Sequence, residues 1–484
     1  MFLMAVVCAP TVAIYSHVLT KKMYYLSLRG WCSYSTNLFL VARVPPTCAL
    51  VYADAVLSPV DARFLAAACA EDASLLVLDL PGCVFEQDSL SILSEGLCRL
   101  PELETLHLQE CTLTREGSVG LAHFVSSSRS LRRMDLSGSS TIHSDSLVVL
   151  LEGIRDSDTL KHVNLSGCPF SEPAAQALAS LLDSNSSLHD LVLRGCVLRD
   201  SSSGWLASLA DNDCLRLLVL DGNDLGHHAC RMLASSLSRN GFLTSLMLNE
   251  NPKIGEEGVS MLCAALEGNQ SLTQLELGAT KMGNRGFRSV GTMLARNRFV
   301  DCVYAGANNI DVDGIDSFVD CAVNNKDLAE LNLSGNPIGS DGLEHLVSFL
   351  IHPDRSIECL FLNEIQPSQP IGQPLASLVS CCASLTVLHL CRNEIRNADA
   401  KILFESLKRS SHLRSLFLDG NEITDDGVPP IQAFLESLRT PFALSLRENA
   451  LSVHGHSTLE RARERARMVH GVEMVLHFSS PIAS

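Results

Sequence analysis

The sequence predicts an α/β solenoid of about sixteen stacked units, each of about 28 residues. Each unit is expected to give one strand to an inner parallel sheet and one helix to an outer row. Three observations predict this. A leucine pattern recurs in near-constant register along most of the 484 residues. Each unit alternates like a strand in its first half and like a helix in its second. The composition suits a core of Leu, Val and Ala, since 46% of residues are hydrophobic but only 5% aromatic.

The pattern is cleanest at residues 328–338, LAELNLSGNPI, where Leu328, Leu331 and Leu333 are followed by Asn336 and Ile338. That is L-x-x-L-x-L-x-x-N-x-L, the core of a leucine-rich repeat. The opening position recurs from Leu75, Leu103 and Leu131 to Leu385, Leu413 and Pro441, at spacings of 27, 28 or 29 residues. This regularity overrides the few globular domains that length alone would suggest. One step back from Leu75 lies a degraded unit beginning at Thr47, with Leu50 and Tyr52 in its strand slots and a helix-like run over 60–70. One step forward from Pro441 lies a last unit with Val472 and Met474 in those slots. Terminal units are commonly atypical caps. The repeat domain is therefore expected over 47–484, and 1–46 is an extension.

Within a unit, a stretch such as Leu246, Met247, Leu248 points inward and outward in turn, as a strand does. In 342–350, GLEHLVSFL, residues Leu343, Leu346, Phe349 and Leu350 share one helical face. Gly258, Gly342 and Gly427 are expected just before their helices, where the chain turns tightly. Strands stack about 4.8 Å apart and helices about 8–10 Å apart, so the array must curve with its strands on the concave side.

The slot that closes each strand reads Cys83, Cys111, Ser139, Cys168 and Cys196, then mostly Asn from Asn223 to Asn449. A side-chain amide there can satisfy backbone groups where the strand turns outward. Ile365 cannot, and Pro367, Pro370 and Pro374 follow it. A local irregularity is expected there, read as a longer loop that the stack tolerates rather than a bend.

Alternating units of about 28 and 29 residues, with Cys or Asn in the closing slot and a full helix each, resemble the ribonuclease-inhibitor-like class of leucine-rich repeats. The resemblance covers 47–484 and implies a horseshoe with an inner parallel sheet and outer helices. It is specific for fold and weak for function. The class includes enzyme inhibitors, Ran GTPase-activating proteins, innate immune sensors and ciliary or cytoskeletal components.

Charge and chemistry narrow the choice. The net charge of −17 argues against nucleic acid and suits basic or mixed-charge protein partners. The 18 cysteines form no C-x-x-C pair, and several occupy positions expected to be buried, which points to a reducing compartment. Residues 1–53 carry no Asp or Glu and a charge of +4, which leaves −21 for the rest. Five of the six tyrosines lie there. A targeting segment, a packed extension and a start at Met23 all fit this stretch. The sequence contains no G-x-x-x-x-G-K-[ST], H-E-x-x-H or G-x-S-x-G motif. His227, His228 and Cys230, the densest potential metal cluster, read better as a polar surface turn. Cys381 and Cys382 point different ways on a helix and suggest no redox pair. Sequons at Asn164, Asn185, Asn269 and Asn332 read as chance matches. Neither catalysis nor a cofactor nor a metal is expected, and a small-molecule substrate is not favoured.

The informative positions are those between the paired strand leucines, which face out of the concave sheet. They bring up two apolar groups. Val192, Val219 and Met247 are consecutive, and Tyr304, Phe361 and Phe417 recur every second unit, about 10 Å apart by strand spacing. His389 lies between the last two. Asp221, Glu250, Glu364, Arg392, Asp419 and Glu448 on the ascending edge are expected to form a polar rim. Exposed aromatics ringed by charge resemble binding hot spots. The expected function is a non-enzymatic scaffold that grips a protein partner on its concave face and ascending loops. A soluble enzyme inhibitor and a Ran-type GTPase activator are the alternatives. The activator is disfavoured because residues 459–468, LERARERARM, form a mixed-charge helix instead of an acidic tail. The expected site is cytoplasmic, cytoskeletal or ciliary structures included, without membrane insertion.

Overall fold

The computed structural model describes residues 24–26, 41–43, 48–71, 74–410 and 412–478. Most of the expected extension over 1–46 lies outside the described residues. Within it, strands Tyr24–Leu26 and Val41–Arg43 pair antiparallel. The described remainder forms a parallel sheet of sixteen strands, ordered strictly as in the sequence from Cys48–Val51 to Met474–His477. Helices alternate with the strands and pack on one another in an outer layer, from Pro59–Glu71 to Val453–His470. The opening and strand leucines of the clear units from Leu75 onward are buried, and one continuous core fills the space between the layers.

The closing slot shows how the units are locked together. The Asn308 amide donates to the Leu277 carbonyl of the unit before (2.7 Å). Its side-chain oxygen accepts from the Thr280 N–H (3.0 Å). Asn251, Asn336, Asn393 and Asn421 repeat both contacts. Cysteine keeps only the first: the Cys111 thiol donates to the Leu80 carbonyl (3.1 Å) and the Cys196 thiol to the Leu165 carbonyl (3.1 Å). Burial pushes the Cys111 and Cys168 thiols up to about 12. They act as small buried donors rather than nucleophiles. The fifteen cysteines from Cys69 to Cys391 are free thiols.

A second amide ladder runs where helix returns to strand. Asn185, Asn212, Asn240, Asn269, Asn297 and Asn325 are all buried. Each donates to a carbonyl one unit earlier, as Asn240 does to the Leu209 oxygen (2.6 Å). This burial removes Asn185 and Asn269 as glycan acceptors.

One local expectation is corrected and another is met. Gly258 and Gly342 sit inside the first turn of helices Gly255–Leu266 and Gly339–Leu350, not before them. A Cβ on Gly258 would lie 2.9 Å from the Cys230 sulfur, so glycine serves close approach between units and not a turn. At Ile365 the sheet continues unbroken, with strand Cys359–Phe361 paired in register on both sides. Ile365 is buried and its N–H goes to the Asn393 side chain (2.8 Å). The Leu333 carbonyl is served instead by Asn336 of its own unit (2.9 Å). The irregularity is a longer loop, pinned by Ser340, whose hydroxyl donates to the Gln369 carbonyl and accepts its N–H (2.9 and 2.8 Å).

The unit opened by Leu188, only 27 residues long, replaces its α-helix by a 3-10 helix, Asp200–Ala210. The 3-10 form rises more per residue, so it spans the outer layer with fewer residues. Asp200 then caps the next helix, accepting from the N–H groups of Gly226 (2.9 Å), His228 (3.1 Å) and Ala229 (2.7 Å). Burial pushes the Asp200 carboxyl up, but these amides outweigh it and hold it below its ordinary value.

Candidate protein-binding face

Strand alternation presents two residues per strand to the concave side: the first residue and the one between the leucines. The register aligns Tyr304, Asn332, Phe361, His389 and Phe417 across five adjacent strands. All five are half-buried. The rings do not stand 10 Å apart as strand spacing alone suggests. His389 fills the gap between two of them, with its ring 4.5 Å from Phe361 and 4.0 Å from Phe417, nearly parallel to both. Tyr304 and Phe361 lean toward each other over Asn332, with centroids 6.1 Å apart and planes tilted by 54°. The result is one continuous aromatic run, because each ring recovers contact area by covering its neighbour.

The run is electrostatically framed. Burial lowers the His389 imidazole below its ordinary value, against the opposing pull of Asp419 and Glu330, so it stands neutral at pH 7. The Tyr304 hydroxyl donates to Glu330. Burial and that carboxylate push the phenol well above its ordinary value. The Cys302 thiol beside them is pushed up to about 12 by burial and by Glu330.

The middle of the sheet differs from expectation. Val192 and Met247 are half-buried, but Val219 between them is only 4% exposed. Val219 is flanked in register by Val192 on one side and by the longer Met247 on the other. Asp221, expected on the rim, is 2% exposed. It accepts from Arg194 (2.8 Å) and from the Asn249 N–H (2.8 Å). Burial raises its carboxyl above the ordinary value. Asp221 therefore ties three units together and is not part of an exposed rim.

Glu250 and Glu364 do stand at the surface, both in the left-handed region at φ 59° and 56°. Arg392 bridges Glu364 (3.3 Å) and Glu448 (3.5 Å). Asp419 is half-buried, accepting from the Ser445 hydroxyl (2.6 Å) and the Arg447 N–H (2.7 Å). Sequence reasoning missed Cys302, Glu330 and Cys359, the first residues of their strands. The signal was available, because a period of two places them on the same side as Tyr304 and Phe361.

Among the described residues no helix is long and apolar enough to cross a membrane, and no group of three or more His, Cys, Asp or Glu is arranged to hold a metal ion. Cys230 is buried, and His227 lies 3.7 Å from Glu257.

Comparison with known proteins gives relatives of one kind. A family model described as Leucine Rich repeat matches residues 324–347 and 409–431. The chain is 30% identical over 374 residues to NACHT, LRR and PYD domains-containing protein 12 of Mus musculus, covering 76% of this chain and 33% of that protein. It is 25% identical over 312 residues to ribonuclease inhibitor of Sus scrofa, covering 63% of this chain and 68% of that protein. The chain thus spans about a third of the length of its NACHT-containing relatives. A crystal structure of the Rad7 and Elc1 complex in yeast is similar at a TM-score of 0.45 and 18% identity, over 75% of this chain and 84% of that one.

Proposed function

We propose, for a chain that is a leucine-rich-repeat protein related to ribonuclease inhibitor and to the repeat regions of NACHT, LRR and PYD domains-containing proteins, that it is a non-enzymatic scaffold. Its concave face and ascending loops grip a protein partner, and residues 47–484 act as one binding body in the cytoplasm. The observation that carries this reading is the half-exposed aromatic run from Tyr304 to Phe417. The repeat's own core does not need rings there, and rigid aromatics at the centre of a large surface are what hot spots are made of. Glu250, Glu364 and Asp419 supply the polar surround, while Val192 and Met247 extend the apolar strip.

Affinity purification with quantitative mass spectrometry tests the reading. The intact chain is compared with a Tyr304→Ala, Phe361→Ala, Phe417→Ala variant shown by circular dichroism to be equally folded. Loss of a specific partner in the variant supports the reading, and identical partner sets refute it for this face.

Ribonuclease inhibitor, matched over 68% of its length, favours a second reading, that the partner is an enzyme which this chain inhibits. Titrating the chain into a ribonuclease A assay checks the simplest form of it. Inhibition at stoichiometric concentration supports that form, and unchanged turnover removes it.

A further inference from the structure

Three acidic residues gather where consecutive strands of the concave sheet begin. Asp301, Glu330 and Glu358 lie on three consecutive strands, at or just before the strand's first residue. Burial raises the Asp301 carboxyl, and the charges of Glu330 and Glu358 raise it further. Among the described residues none of the three forms an ion pair, whereas Glu364 and Glu448 nearby share Arg392. Directly beside them, Tyr304 and Phe361 form a wedge over Asn332. The faces of His389 are covered by its two ring neighbours, but the side of Phe361 toward Tyr304 meets only a tilted ring.

We propose that this wedge, floored by Asn332 and bordered by Asp301, Glu330 and Glu358, receives one arginine side chain from a basic segment of the partner protein. The proposal rests on the protein-binding reading and names the chemistry of the contact. A guanidinium is planar, is weakly hydrated, and can stack on a phenyl face while donating to carboxylates. The molecule itself uses the same arrangement on its outer side. There the Arg355 guanidinium lies 3.9 Å over the Phe349 ring and donates to the Val323 carbonyl (2.8 Å). A neutral His389 beside the wedge adds no charge that would repel the guest.

The test is fluorescence anisotropy with a labelled peptide carrying three arginines spaced by Gly-Ser, beside the same peptide with citrulline in place of arginine. Binding is measured to the full chain, to Glu330→Gln/Glu358→Gln, to Phe361→Leu, and to Glu256→Gln/Glu257→Gln on an outer helix. The last pair removes the same charge away from the wedge. The expected result is that citrulline, Glu330→Gln/Glu358→Gln and Phe361→Leu each weaken binding about fivefold or more, while the outer pair stays within about twofold. Equal losses in the two glutamate pairs, an unaffected Phe361→Leu, or no binding by the full chain would each overturn the proposal. Its failure is separable from that of the scaffold reading. A partner lost in the triple aromatic variant upholds the scaffold even if the arginine peptide ignores the wedge.

Discussion

Two stretches of one sheet, built on the same repeat and facing the same way, meet different ends. In the aliphatic stretch, Val219 disappears between Val192 and Met247, and Asp221 is drawn inward by Arg194 and the Asn249 amide. In the aromatic stretch, Tyr304, Phe361, His389 and Phe417 cover one another yet stay half-exposed. Identical strand position therefore does not mean identical role. Val219 is submerged beside Met247, while Val192 at the same strand position stays half-buried. A ring is too large to be submerged and stays half-exposed on the concave face.

The contrast can be broken most directly at Val219. Val219→Asp would bury a charge beside Asp221, and should cost about 3 kcal/mol or more of stability in urea unfolding. A loss below about 1 kcal/mol would show that the site is open after all. The opposite signature is expected for the aromatic stretch. Phe361→Ala combined with Phe417→Ala should weaken partner binding about thirtyfold, as removal of a hot spot does. The same pair should move the urea midpoint little. A large stability loss without a binding loss would reverse the roles of the two stretches.

The frame beneath the rings offers a finer test. Asn308→Ala removes both the donor to Leu277 and the acceptor for Thr280, and should cost about 2 kcal/mol. Cys196→Ala removes one weak donor and should cost about half as much, again read from urea unfolding. The smallest effect concerns pH. Burial lowers the His389 pKa in the folded chain, so the unfolded chain binds a proton first as pH falls below the ordinary value of 6.5. The stability held by neutral His389 is complete at pH 7.5 and declines below 6.5. His389→Phe should therefore lose less in thermal midpoint than the wild type between pH 7.5 and 5.5. An equal loss in both would place the acid sensitivity elsewhere.

Most of the fold was legible because a leucine spaced every 27 to 29 residues must be buried at the same place in each unit. The degraded first unit was readable for the same reason. The strand at Cys48–Val51 stands where counting from the clear units places it, with Leu50 beside Leu78, but the last strand, Met474–His477, stands four residues later than counted, with Leu476 and not Val472 beside Leu444. The site was legible only in outline. The rings were found, but Asp221 and Val219 were placed on the surface and Glu330 was overlooked. The second amide ladder at Asn185 to Asn325 also went unread, although its six asparagines recur at the repeat spacing.

What the sequence determined by itself was the period, the order of strands and the side of the sheet each residue faces. These follow from sterics along a single chain and from the need to bury each leucine. What only the tertiary structure decided was how far each side chain rises from the sheet and which neighbour it leans on. That depends on side chains standing one and two units away, about 28 and 56 residues along the chain. The closure of His389 between Phe361 and Phe417, and the burial of Asp221 under Arg194, are set by the sizes and charges that stacking brings together.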